Sequence, residues 1–86
     1  MKKLAAGNWK MNGSLNSLSE IKTLATRHTT SAIDILICVP ATYLMPALQL
    51  ASPLQIGAQD CHYIQKGAHT GDISAAMIAD TGATYV

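Results

Sequence analysis

The chain has 86 residues, a formal net charge of +1, 49% hydrophobic and 13% charged residues. It is too apolar for a disordered segment, and with no basic run, no Phe, one Trp and three Tyr it does not describe a nucleic-acid surface. A length of 86 residues suits one small domain whose single core barely offsets chain entropy, and so low a charged fraction implies faces that pack against more protein.

The first element is a short apolar run, residues 4 to 9, read as a strand. At its C-terminal end stand Asn8, Trp9 and Lys10, followed by the turn signal Asn12-Gly13. A helix is predicted from Leu15 to residue 27 or 28, capped by Ser14. Leu15, Leu18, Ile21, Leu24 and Ala25 recur at helical spacing, and Lys22 and Arg27 lie late, where cations suit the helix dipole.

Residues 33 to 39 read Ile-Asp-Ile-Leu-Ile-Cys-Val, an apolar, β-branched run of the kind buried on both faces of a parallel sheet. Pro40 ends it. Thr42 is read as the cap of a second helix over residues 43 to 51, with Pro46 tolerated in the first turn. Pro53 stops that helix, and residues 54 to 59 form a third strand.

A polar loop of residues 60 to 72 follows, containing Gly67 and Gly71 and long enough to carry a function. Ser74 caps a short helix over residues 75 to 80, Gly82 stops it, and Tyr85-Val86 begins a fourth strand. The order β-α-β-α-β-α-β with short connections describes parallel strands and right-handed crossovers. Pattern alone leaves open whether the sheet is doubly wound or the start of an eight-fold barrel.

Two cysteines, Cys38 and Cys61, are no disulfide framework and point to a reducing, cytoplasmic setting, with Cys38 read as a buried thiol. Lys2-Lys3-Leu4 is not followed by an apolar stretch long enough for a signal peptide. The apolar stretch 33 to 51, with Asp34, Pro40 and Pro46, is not a membrane span.

Lys10 at a strand end serves either as a solvated surface charge or as a cation that neutralises a phosphate or carboxylate. Trp9 and Met11 beside it would exclude water and strengthen that contact. Asn8 is read as a turn cap or as an amide aimed at a ligand oxygen. Asp60-Cys61-His62 offers three donor types, but consecutive side chains diverge and no second pair has zinc-site spacing, so no metal site is expected. His28 and His69 read as isolated. The segment 67 to 72 is either a surface loop or a finger that docks on a partner through Thr70 and Asp72.

Three motifs resemble one family. Asn8-Trp9-Lys10-Met11-Asn12-Gly13, Gly57-Ala58-Gln59-Asp60-Cys61 and Gly67-Ala68-His69-Thr70-Gly71-Asp72-Ile73-Ser74 resemble, in this order, the opening of the triosephosphate isomerase family. Asp80, Gly82 and Tyr85-Val86 follow in the same manner. The resemblance covers essentially the whole chain.

It implies an α/β fold, the N-terminal part of a single (β/α)8 barrel domain: residues 1–86 would supply three β-α units and the start of strand four. It also implies interconversion of glyceraldehyde 3-phosphate and dihydroxyacetone phosphate in glycolysis and gluconeogenesis, without cofactor or metal. Lys10 would neutralise substrate charge and Asn8 would orient both substrate and Lys10. Thr70 would reach the neighbouring subunit's active site in a homodimer, with Gln59 and Asp72 supporting the interface.

The family's His electrophile and Glu base have no counterpart here, so the chain alone is expected to be inert. Asp60, His69 and Asp72 depart from the family's usual Asn, aromatic and Glu, which bears on the dimer contact. Two other readings remain: an α/β module that binds phosphorylated metabolites, and a piece of a split barrel that needs a complementary chain.

Overall fold

The computed structural model describes residues 2–30 and 32–86. Its elements are β1 (Leu4–Asn8), α1 (Leu18–Arg27), β2 (Asp34–Cys38), a single 3-10 turn (Ala41–Tyr43), α2 (Leu44–Ala51), β3 (Gln55–Gly57) and α3 (Ala75–Asp80). The strands form one parallel sheet in the order β1-β2-β3. The structure is thus an incomplete barrel of alternating strands and helices. Asn8 is in register with Cys38, and Cys38 with Gly57, so the C-terminal ends of all three strands are level.

Helices cover the sheet on one face only, although Leu36 on the other face is also buried. Val39, Leu54, Ile56 and Ala58 pack with Leu18, Ile21 and Ala25 of α1 and with Leu44, Ala47 and Ala51 of α2, and Ile35 and Ile37 lean on the same cluster. Val39 and Ala47 are fully buried, and Ile56 and Ile21 nearly so. All five residues of β1 are exposed, Leu4 at 45%. A parallel strand with an open edge and an uncovered face is unusual, because such strands are normally covered on both sides.

The predicted order of elements holds, and several boundaries move. Helix α1 begins at Leu18 rather than at Leu15. The Ser17 N–H donates to the Ser14 carbonyl at 3.1 Å and the two hydroxyls lie 3.2 Å apart, so residues 14 to 17 form a separate turn. Leu15 is consequently exposed rather than part of the core. Thr42 does not cap α2. It sits inside the 3-10 turn, and the Tyr43 N–H donates to the Pro40 carbonyl at 2.9 Å instead.

The strands are shorter than read from the sequence, although single hydrogen bonds extend them: Trp9 N–H to the Cys38 carbonyl and Val39 N–H to the Gly57 carbonyl, each at 3.0 Å. Helix α3 matches its predicted span. The Ser74 hydroxyl accepts from the Met77 N–H at 3.2 Å, and Gly82 takes the left-handed conformation (φ 102°) that ends such helices. Tyr85 bridges Gly57 as the start of a further parallel pairing, with Ala58 N–H donating to the Tyr85 carbonyl at 3.0 Å. Cys38 is only half-buried, because its side of β2 lacks a covering layer, and that partial burial pushes its thiol pKa up.

Candidate active site

The ends of β1 and β3 place three polar residues together. Asn8 is the last residue of β1, Lys10 lies two residues beyond it, and Gln59 lies two residues beyond β3. The Asn8 Oδ1 accepts from the Lys10 backbone N–H at 2.7 Å and from the Gln59 Nε2 at 3.1 Å. The Gln59 Nε2 also donates to the Lys10 carbonyl at 2.7 Å. The Lys10 peptide groups are therefore held on both sides, by an amide from its own strand end and an amide from across the sheet.

That clamp holds a strained residue. Lys10 has φ 57°, the only positive φ among the described residues other than glycine. A left-handed backbone at a side chain as long as Lys costs on the order of 1 kcal/mol or more, and surrounding contacts must impose it. Further bonds fix the following turn. The Asn12 Nδ2 donates to the Trp9 carbonyl at 3.0 Å, and the Tyr43 hydroxyl donates to the Gly13 carbonyl at 3.2 Å. Gly13 (φ 102°) is needed there for a second reason: a Cβ at this position would stand 2.8 Å from the Trp9 ring.

The chemistry follows from what each atom has left to offer. The Asn8 Oδ1 already serves two donors, so a ligand would meet the N–H groups of its Nδ2. The Lys10 side chain is exposed, and no ion pair to it occurs among the described residues. An unpaired ammonium beside an amide donor, both at the C-terminal ends of parallel strands, suits an anionic, oxygen-rich ligand.

Asn8, Lys10 and Gln59 were all singled out from sequence, but Gln59 for an interface. Its bond to the Lys10 carbonyl crosses 49 positions, a distance at which local spacing carries no signal. Thr70 and Asp72 belong to a second group, on the loop of residues 60 to 73. There Asp72 faces His62, with 4.0 Å between Oδ2 and Nε2. His69, read as isolated, instead stacks on His62 with ring centroids 4.3 Å apart, and Tyr63 stacks on His62 at 4.8 Å.

Residues 3–86 match the family model described as triosephosphate isomerase. The triosephosphate isomerase of Ruegeria pomeroyi is 55% identical over 87 residues, covering 99% of this chain and 35% of that protein. The one of Rhizobium meliloti is 53% identical, covering 96% and 34%. The crystal structure of triosephosphate isomerase from Bartonella henselae superposes with a TM-score of 0.88 at 41% identity, covering 96% of this chain and 35% of that one. The chain thus spans about a third of the length of these relatives.

Proposed function

The chain belongs to the triosephosphate isomerase family, and from that premise we propose that its clamped Lys10 and Asn8 form the substrate-binding part of an isomerase site. The substrate pair is glyceraldehyde 3-phosphate and dihydroxyacetone phosphate, interconverted in the cytoplasm in glycolysis and gluconeogenesis. The observation that carries this reading is Lys10 itself, a strained residue held from both sides with an unpaired ammonium. Strain of that kind is maintained where geometry matters more than local stability.

In this reading the Lys10 ammonium neutralises the substrate's phosphate and the negative oxygen of the enediolate as the proton moves. The Nδ2 donors of Asn8 meet a substrate oxygen and fix its position. Charge placed before the reaction needs no reorganisation during it, which makes such electrostatic positioning a large catalytic term. No cofactor is required, because the reaction moves a proton between adjacent carbons. The proton itself needs an acid and a base. The resemblance gives those roles to a His electrophile and a Glu base, and this reading assigns neither role to His28, His62, His69 or Glu20. Each such group typically contributes roughly 10² to 10⁴ in rate, so the chain alone is expected to lack measurable turnover.

The loop around Thr70 would reach a second subunit in a homodimer, with Asp72 meeting a cation there and Gln59 supporting the contact from behind Asn8. A complementary chain carrying further β-α units is the second reading, and the exposed β1 strand favours it.

The test is a chimera in which residues 1–86 replace the matching segment of the Ruegeria pomeroyi relative. The chimera is expected to isomerise triose phosphates. Lys10→Met should then lower kcat/KM by at least about 100-fold, the size of losing a positioned charge at the reacting centre. A Lys10→Met chimera that keeps its activity would overturn the proposal.

A further inference from the structure

The loop of residues 60 to 73, read above as a dimer contact through Thr70 and Asp72, also carries His62 and His69, which that reading leaves without a role. The donor atoms of His62, His69 and Asp72 all lie within 4.8 Å of one another. Their backbone is held in place. The His62 N–H donates to the Ile73 carbonyl at 2.7 Å, His62 bridges Ser74 as an isolated parallel pair, and the Asp72 N–H donates to the His69 carbonyl at 3.0 Å. With Lys66, Ser74 and Met77, the same three side chains line a cavity of about 40 Å³. That is room for one ion or one or two waters.

We propose that His62, His69 and Asp72 bind a single divalent transition-metal ion of the zinc type, cross-linking the two legs of this loop. Two imidazoles and one carboxylate are a borderline donor set, suited to zinc, cobalt, nickel or copper rather than to magnesium or calcium. Water completes the coordination. Bonds of about 2.0 to 2.2 Å put tetrahedral ligand atoms roughly 3.3 Å apart, so the 4.0 Å between His62 and Asp72 must shorten by about 0.7 Å and the widest separation in the set, up to 4.8 Å, by about 1.5 Å. The Asp72 side chain is 59% exposed and His69 is exposed, so both have room to move, and His69 must leave its stack on the more buried His62 ring, because stacked imidazoles aim their nitrogens side by side and not at one ion.

One hydrogen bond opposes the ion and gives the site a signature. The Ile64 N–H donates to the Nδ1 of His62 at 3.0 Å, so the neutral ring carries its proton on Nε2, the nitrogen that faces Asp72. An ion at Nε2 requires that proton to leave to solvent and Nδ1 to take one up. Two N–H groups would then face each other, and Ile64 must turn its N–H toward water. Binding therefore opens the 62 to 64 turn. Lys66, a cation on the cavity wall, also opposes the ion.

The test is a titration of the 86-residue chain with cobalt(II), followed by visible absorption and by the Ile64 amide signal in NMR, with circular dichroism confirming the fold of each variant. One equivalent is expected to bind, with bands of nitrogen and oxygen ligation, a displaced Ile64 amide, and no sulfur-to-cobalt charge transfer. Cys61→Ser should leave the spectrum unchanged. His69→Gln and Asp72→Asn, both at exposed positions, should each weaken binding at least about tenfold, the scale of losing one ligand from a three-residue site, and Lys66→Ala should tighten it. Absence of saturable binding, a charge-transfer band lost in Cys61→Ser, or unchanged affinity in His69→Gln and Asp72→Asn would each overturn the proposal. None of these readouts depends on turnover.

Discussion

The two faces of the sheet have opposite fates. On one, α1 and α2 lie over β2 and β3 and reduce Val39 and Ile56 to 0% and 1% exposure. On the other, Asn8, Lys10 and Gln59 gather at the strand ends, and β1, at the sheet's edge, is exposed on both of its faces. The covered face is built from contacts between consecutive β-α units, which this chain supplies to itself. The open face is where a barrel needs strands from further along, and it is also where the polar site lies. Stability and function are thus divided between the two sides of a single sheet.

Core truncation should show the division most strongly. Ile56→Ala removes a nearly fully buried side chain and is expected to cost about 2–5 kcal/mol, read by chemical denaturation. Leu4→Ala on the open strand, already 45% exposed, should cost under about 1 kcal/mol in the same assay. Equal losses would mean that another chain covers the open face in solution.

The clamp is the next largest effect. Gln59→Leu deletes the donor shared by Asn8 and Lys10 and should cost about 1–2 kcal/mol. It should also release Lys10 from its left-handed backbone, visible as a changed HN–Hα coupling at Lys10. Lys10→Gly tests the same strain in reverse. Glycine accepts φ 57° without penalty, so this variant should be about 0.5–1 kcal/mol more stable even as it loses the site's cation.

The thiols give the smallest contrast. Cys61 is exposed, while Cys38 is half-buried and burial raises its pKa, which lowers its thiolate fraction near neutral pH. Cys61 should therefore react several-fold faster with a thiol reagent, and the Cys38 rate should keep climbing at pH values where an ordinary thiol has already levelled off.

Much of the covered face could be read from the chain. Alternating β-branched runs and helical spacing located the elements, and Ser74 with Gly82 marked both ends of α3 because capping is a local event. The start of α1 is not legible because Ser14 and Ser17 are both cap-type residues, yet neither hydroxyl caps α1: the Ser17 hydroxyl accepts from the Ser14 N–H and pairs with the Ser14 hydroxyl.

The open face was legible in its residues but not in their arrangement. Asn8 and Lys10 stand out in the strand-end motif, whereas the left-handed Lys10 backbone depends on a Gln59 amide that arrives from two strands away. His62 and His69 likewise meet only because the loop folds back through the bridge between His62 and Ser74. Contacts made by folding a loop onto itself leave no periodicity to read.

The most direct measurement of this division is the isomerase rate of the purified 86-residue chain, assayed with glyceraldehyde 3-phosphate beside the Ruegeria pomeroyi enzyme. On the proposal that Asn8 and Lys10 form only the substrate-binding part of the site, this chain should show no turnover above the uncatalysed background. A rate approaching that of the relative would contradict the assignment of Asn8 and Lys10 to one part of a larger site.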